Sequence, residues 1–218
     1  MVHSHVHDNS LRKTIIAYDG LRSAALEQYR VIRSNIKFID SEHKTRNIAV
    51  TSPISGTGSS TTAVNLAVSM SLRGDKVLLV DTNLRKPTLH AALRVPNNSG
   101  LTDVLMGNMT LEKTVHSTEV SGLHLLTSGP FKPYMDELLG SAAMKALLSD
   151  AKQIYDNVIL DCSAILEATD AALLSNLADG VILVIESGCT KKETAAEAHK
   201  VLKRANAKIL GVVLNNRK

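Results

Sequence analysis

Tryptophan is absent, and aromatic residues make up only 3% of the 218-residue chain, as two Phe and four Tyr. That argues against an aromatic-rich β-sandwich. The interior must be built from Val, Leu, Ile and Ala, which suits helices packed on an aliphatic sheet. The two cysteines, Cys162 and Cys189, are too few for a disulfide framework and lack metal-ligand spacing. No apolar run approaches the roughly 18 residues of a bilayer-spanning helix, and the N-terminus does not read as a signal peptide. Blocks of like charge are missing too. With 25 Lys and Arg against 21 Asp and Glu, the net charge is +4, and neither a basic nucleic-acid arm nor aromatic platforms for single strands are present. What remains is a cytoplasmic protein of one domain, long enough to bury a sizeable core, that reaches a membrane only through a partner.

The first residues carry His3, His5 and His7 in alternation. Such a trio can hold a transition metal, but residues 1–18 are expected to be a flexible segment preceding a domain at 19–218. Residues 21–39 have apolar side chains at helical spacing (Leu21, Ala25, Tyr29, Ile32 and Ile36), with Glu27, Arg30 and Arg33 three apart on one broad face. By itself that face is a solvated surface with a local ion pair, worth a few tenths of a kcal/mol. Further on, short aliphatic runs at 47–51, 76–80, 123–126, 157–160, 181–185 and 209–214 alternate with helical stretches that include 60–72, 141–155, 168–177 and 191–205. This alternation predicts an α/β fold: a doubly wound, mostly parallel sheet with helices on both faces. Ligands of such sheets bind outside the carboxyl ends of the strands.

Residues 51–62 read Thr-Ser-Pro-Ile-Ser-Gly-Thr-Gly-Ser-Ser-Thr-Thr, between a predicted strand and a predicted helix. A Gly-rich turn in that place presents consecutive backbone N–H groups to an anion, and the helix dipole adds to the attraction. Gly56 and Gly58 allow close approach of the backbone to phosphate, and Ser60 or Thr61 can offer a hydroxyl to Mg²⁺. Asp81 and Asp161 each close an aliphatic run, where a carboxylate can hold Mg²⁺ directly or through water. A Walker A loop, however, ends in Gly-Lys-Ser/Thr, and Gly58 is followed by Ser59.

The ordered set of motifs resembles the bacterial tyrosine kinase family, the cytoplasmic kinases of capsule and exopolysaccharide synthesis, whose P-loop fold is related to the MinD/ParA-type ATPases. Glu27, Arg30 and Arg33 match the family's Glu-x-x-Arg-x-x-Arg helix, associated there with ring-shaped self-assembly. Ser52-Pro53, Gly56-x-Gly58 and Ser60-Thr61-Thr62 match its Walker A loop. Residues 79–87, through Asp81 and Asn83, resemble Walker A′; residues 158–161 resemble Walker B, followed by Asp170-Ala171; and residues 211–215 resemble the strand that carries a base-contacting Asn215. The resemblance implies ATP or ADP with Mg²⁺, held by Gly56, Thr57, Gly58, Ser59, Ser60, Thr61 and Asn215, with Ser60, Asp81 and Asp161 around the metal and Asp81 and Asp161 as the retained catalytic candidates. It also implies a transmembrane polysaccharide co-polymerase or adaptor as partner, recruiting the chain to the inner face of the membrane.

Departures from the family pattern fall on the reaction centre, where the acidic residue usual at Thr57 is also gone. Ser59 replaces the Walker A lysine, Asn83 replaces the second Walker A′ aspartate, Cys162-Ser163-Ala164 follows Asp161 in place of Thr/Ser-Pro-Pro, and no tyrosine cluster closes the sequence. A lysine about 4 Å from a phosphate oxygen is worth roughly 4 kcal/mol at an effective dielectric near 20. Half of that would weaken ATP binding about 30-fold. The expected protein is therefore a catalytically degenerate family member with weakened nucleotide binding, acting as a regulatory or assembly subunit. The alternatives are an active ATP-dependent kinase acting on a partner's or an internal tyrosine, and a MinD/ParA-like positioning ATPase.

Overall fold

A computed structural model describes Ile15 and residues 24–39, 45–131 and 135–216. The histidine trio, most of the N-terminal segment, Leu21, Tyr18 and Tyr134 lie outside these residues. The helices are α1 (Ala24–Ile39), α2 (Ser59–Ser71), α3 (Leu89–Ala92), α4 (Leu101–Leu105), α5 (Leu111–Thr114), α6 (Ala142–Ile154), α7 (Asp170–Leu177) and α8 (Lys192–Arg204), with a 3₁₀ segment at Met135–Gly140. The strands are β1 (Asn47–Thr51), β2 (Val77–Asp81), β3 (His116–Ser117), β4 (Leu123–Leu126), β5 (Asn157–Asp161), β6 (Gly180–Glu186) and β7 (Ile209–Asn215).

The strands form one seven-stranded sheet in the order β3-β4-β2-β5-β1-β6-β7. Only the β3–β4 pair is antiparallel; the other pairings are parallel. The expected doubly wound sheet is therefore present, with boundaries within a residue or two of those read from the sequence. The addition is β3, two residues long and too short to carry an alternation signal.

Strand pleating divides the aliphatic residues between two cores. Leu78, Val80, Val158, Leu160, Val181 and Leu183 face α6, α7 and α8, where Met144, Leu147, Ala171, Leu174 and Leu202 are buried. Their neighbours Val77, Leu79, Ile159, Ile182 and Val184 face α1, α2 and α3. Each such side chain contributes roughly 1.5–3 kcal/mol on burial. Helix α2 is buried on all sides from Thr62 to Ser71, because α1 lies over its outer face. Its polar residues consequently have partners. Thr62 Oγ1 donates to Gly58 O at 2.9 Å, Ser71 Oγ donates to Val68 O at 2.9 Å, and Asn65 and Thr62 hydrogen-bond the hydroxyl of Tyr29 on α1.

The start of β1 is fixed by Asp179, which accepts from the backbone N–H groups of Arg46 (2.9 Å) and Asn47 (2.8 Å) and pairs with Lys152 Nζ at 2.7 Å. At the other end of the sheet, Leu101 N and Thr102 N donate to the carbonyls of Thr127 (2.7 Å) and Ser128 (3.1 Å), tying α4 to the segment after β4. This docking requires glycine at 100, since a Cβ there would lie 2.1 Å from Gly129 N and 2.4 Å from Thr127 O. Gly100→Ala should lower unfolding free energy by about 1–3 kcal/mol in a denaturant titration; an unchanged midpoint would mean that the segment after β4 yields freely.

Candidate functional site

The sheet order brings β1 and β2 to either side of β5, so the loop after β1 and the ends of β2 and β5 share one crevice. Ser59 to Thr61 open α2, and Gly58 caps the helix in the left-handed region (φ 89°) with no side-chain cap. Gly56 is also left-handed, at φ 85°. The amides of the first turn thus point out of the helix without a side-chain acceptor, the arrangement that binds phosphate. A Cβ on Gly58 would lie 2.2 Å from Nδ2 of Asn215. Asn215, at the end of β7, donates from that nitrogen to Thr57 O at 2.9 Å. The residue expected to contact a base is here also a strut of the phosphate loop.

Beside the loop, Asp81 and Asp161 stand opposite each other in the β2–β5 register, and both are buried. Asp81 accepts from the N–H groups of Leu89 (3.1 Å), Thr88 (3.2 Å) and Asn83 (3.3 Å). Burial outweighs those donors and pushes its carboxyl up to about 7. Burial and then the charge of Asp81 hold Asp161 well above the usual carboxylate range. Ser60 lies close enough to oppose that rise, yet neither Asp161 oxygen has a partner in hydrogen-bonding geometry. Two buried carboxyls, one of them (Asp161) with both oxygens unfilled, and a serine hydroxyl are the hard oxygen donors that Mg²⁺ takes, usually together with waters and phosphate. The residues present fit that ion.

Ser59 supplies no cation where the family's lysine would stand. Its hydroxyl lies 3.4 Å from that of Ser52, at the limit of hydrogen bonding, while Ser52 Oγ donates to Ile54 O at 2.9 Å. Asn83 follows Asp81, and its amide oxygen accepts from Lys86 N at 3.2 Å, so the side chain closes its own turn. The Cys162-Ser163-Ala164 segment is bound into the site. Thr51 Oγ1 donates to Ser163 O at 2.7 Å, and Ser163 Oγ donates to the buried carboxylate of Asp170 at 2.9 Å. Burial drives the Cys162 thiol far above its usual range, leaving it unreactive.

Glu27, Arg30 and Arg33 lie apart from this crevice, on α1. Glu27 and Arg30 pair with each other in solvent. Arg33 instead turns onto α2, where it donates to Ser69 O and approaches Ser69 Oγ at 3.4 Å. The expected common face is thus divided between a surface pair and a helix–helix contact. Asp170, noted in the sequence after Walker B, proves to be the acceptor for Ser163, and one residue had no motif to reveal it: Glu167, whose carboxylate accepts from Ser55 N at 2.8 Å. An apolar groove of about 290 Å³ between α1 and β7, lined by Ile36, Phe38, Val212 and others, lacks convergent polar groups and is separate from this chemistry.

A glycine loop on a helix N-terminus, flanked by strand-end aspartates on a parallel sheet, defines a P-loop NTPase-type protein. Residues 45–210 match the AAA domain family. The tyrosine-protein kinase YwqD of Bacillus subtilis (strain 168) is 44% identical over 208 residues, covering 95% of this chain and 88% of that protein. The crystal structure of the chimerical protein CapA2B2 superposes with a TM-score of 0.89 at 36% identity, covering 94% of this chain and 90% of that one. At greater distance, the septum site-determining protein MinD of Pyrococcus horikoshii OT3, complexed with Mg-ADP, gives a TM-score of 0.68 at 29% identity over 80% of this chain and 72% of its own. The chain belongs to the bacterial tyrosine-protein kinase family.

The raised carboxyls carry a pH signature. Both are protonated in the fold at pH values where the unfolded chain is ionised. Their contribution to stability is therefore full below about 4 and is lost as pH rises toward about 7 and above. In Mg²⁺-free buffer, wild type should lose stability relative to Asp161→Asn over that interval, by a few kcal/mol in order of magnitude. Parallel pH profiles of the two proteins would place the titration elsewhere.

Proposed function

We propose that this chain is a cytoplasmic tyrosine-kinase-family component of capsule or exopolysaccharide biosynthesis that keeps the family's Mg-nucleotide site as an assembly or regulatory element and has lost efficient phosphoryl transfer. The observation that carries this reading is the contrast within one crevice: the acid pair is intact and buried with the Asp161 oxygens unpartnered, whereas no lysine stands on the loop and Asn83 is committed to a turn. When bound, Mg²⁺ and nucleotide would supply the phosphoryl group and its charge neutralisation. The chain's own part is to cradle phosphate with the amides after Gly58, to hold the metal with Asp81, Asp161 and Ser60, and to brace the loop through Asn215. Phosphoryl transfer rests on positioning and on cationic stabilisation of developing charge, and that second contribution is the one missing. A neutral Asn83 amide cannot accept the tyrosine proton as a carboxylate can.

The tyrosines support the same reading. Among the described residues, Tyr155 is 7% exposed and Tyr29 is hydrogen-bonded against α2, so neither hydroxyl is placed to receive phosphate. The partners in this proposal are a transmembrane adaptor, which would bring the chain to the inner membrane face and could complete the site with its cytoplasmic tail, and further copies of this chain, arranged in a ring through Glu27, Arg30 and Arg33.

A second reading, an active kinase directed at a partner tyrosine, is favoured by the 44% identity to a protein named a tyrosine-protein kinase. Incubating the chain with purified adaptor tail, Mg-ATP and tyrosine peptides distinguishes the two. Phosphotyrosine should stay at background, at least about a thousandfold below a transfer-competent site. Robust labelling that disappears in Asp161→Ala would establish the active reading instead.

A further inference from the structure

The outer crest of the phosphate loop is held by an acid that phosphate binding does not require. Glu167, between β5 and α7, accepts through one carboxyl oxygen from both the backbone N–H of Ser55 (2.8 Å) and its hydroxyl (3.2 Å). This is the last rung of a ladder between the segment after β5 and the first half of the loop. The preceding rungs run from Thr51 Oγ1 to Ser163 O (2.7 Å), from Ile165 N to Ser52 O (2.8 Å) and from Leu166 N to Pro53 O (3.3 Å). The first three rungs join buried or half-buried residues, but Ser55 and Glu167 are both exposed. Water could satisfy either one, so burial does not demand the last rung.

Its charge therefore matters more than its tether. Among the described residues Glu167 forms no ion pair, and the loop from Ser52 to Thr62 contains no cationic side chain. An acid thus stands against an anion-binding loop that has hydrogen-bond donors for it but no cationic side chain. The amides that open α2 lie past Gly58, whereas Ser55 belongs to the exposed first half of the loop. In a P-loop the inner phosphates rest on the helix-side amides, and the lysine is the group that reaches the terminal one. Here the loop offers a terminal phosphate no lysine, while the acid bonded to Ser55 brings a negative charge to that same loop.

We propose that Glu167 is a specificity-determining residue that makes this loop discriminate by phosphate charge, accepting a nucleoside diphosphate and disfavouring the triphosphate. The inference rests on the reading of the crevice as a Mg-nucleotide site. It makes the site a reader of the diphosphate state.

Mg-ADP and Mg-ATP affinities of the intact chain and of Glu167→Gln and Glu167→Ala test it, by calorimetry alongside melting temperatures that verify folding. The Gln variant keeps an oxygen for Ser55 and removes the charge. Wild type should bind Mg-ADP more tightly than Mg-ATP. Both substitutions should tighten Mg-ATP on the order of tenfold while Mg-ADP changes far less, and 0.5 M salt should narrow the wild-type difference. A purely structural tether would instead leave Glu167→Gln like wild type and weaken both nucleotides equally in Glu167→Ala; that pattern overturns the proposal while leaving the nucleotide site standing. Folded wild type and variants that bind neither nucleotide at millimolar concentration would sink the nucleotide reading, and the discrimination with it.

Discussion

Two carboxyl groups set side by side in the interior constrain this molecule more than any other interaction. Asp81 and Asp161 are registered neighbours on adjacent parallel strands, so neither can move away without breaking the sheet. Two adjacent buried carboxylates cannot both ionise cheaply; a proton or a cation must sit between them. With no ion bound, the proton is the answer, and burial raises both groups accordingly. A purely structural pair would be expected to fill its hydrogen-bonding capacity, yet the Asp161 oxygens remain unpartnered. That arrangement suits the receipt of a cation, as proposed above, with the glycine loop beside it.

The loop is stiff before any ligand arrives. Asn215 braces it from β7, and the segment after β5 binds its first half rung by rung. The replacement of Thr/Ser-Pro-Pro by Cys162-Ser163-Ala164 does not leave this region slack, because Ser163 finds Asp170 on one side and Thr51 on the other. The hydrogen-bonded frame and the buried acid pair thus occupy the same crevice as a loop with no lysine and an Asn83 whose amide closes its own turn.

Most of the fold was legible because aliphatic alternation and glycine placement act locally. Val77–Asp81 and Asn157–Asp161 announce buried strands with acids at their ends, and the loop between β1 and α2 announces an anion site. Strand order, which decides that Asp81 and Asp161 are adjacent, depends on contacts distant in sequence and was not legible there. The two-residue β3 is too short to show a period. Glu167 was invisible for a different reason: one exposed glutamate in a connecting segment has no spacing to distinguish it, and only the return of that segment along the loop gives it a partner. Arg33 likewise looked like a surface charge until α1 was laid across α2, where Ser69 receives it.

Restoring the missing cation is the most direct test of a site that retains its frame and lacks its charge. Mg-ATP affinity measured for wild type beside Ser59→Lys should differ at least several-fold in favour of the lysine variant, within the roughly 30-fold set by half of an interaction at 4 Å. Weak binding in wild type that the lysine strengthens would confirm that the loop, the acid pair and Ser60 stand ready for a nucleotide held too loosely for transfer. Equal and tight affinity in the two proteins would contradict it, because the loop would then be gripping phosphate by means that do not depend on the absent charge.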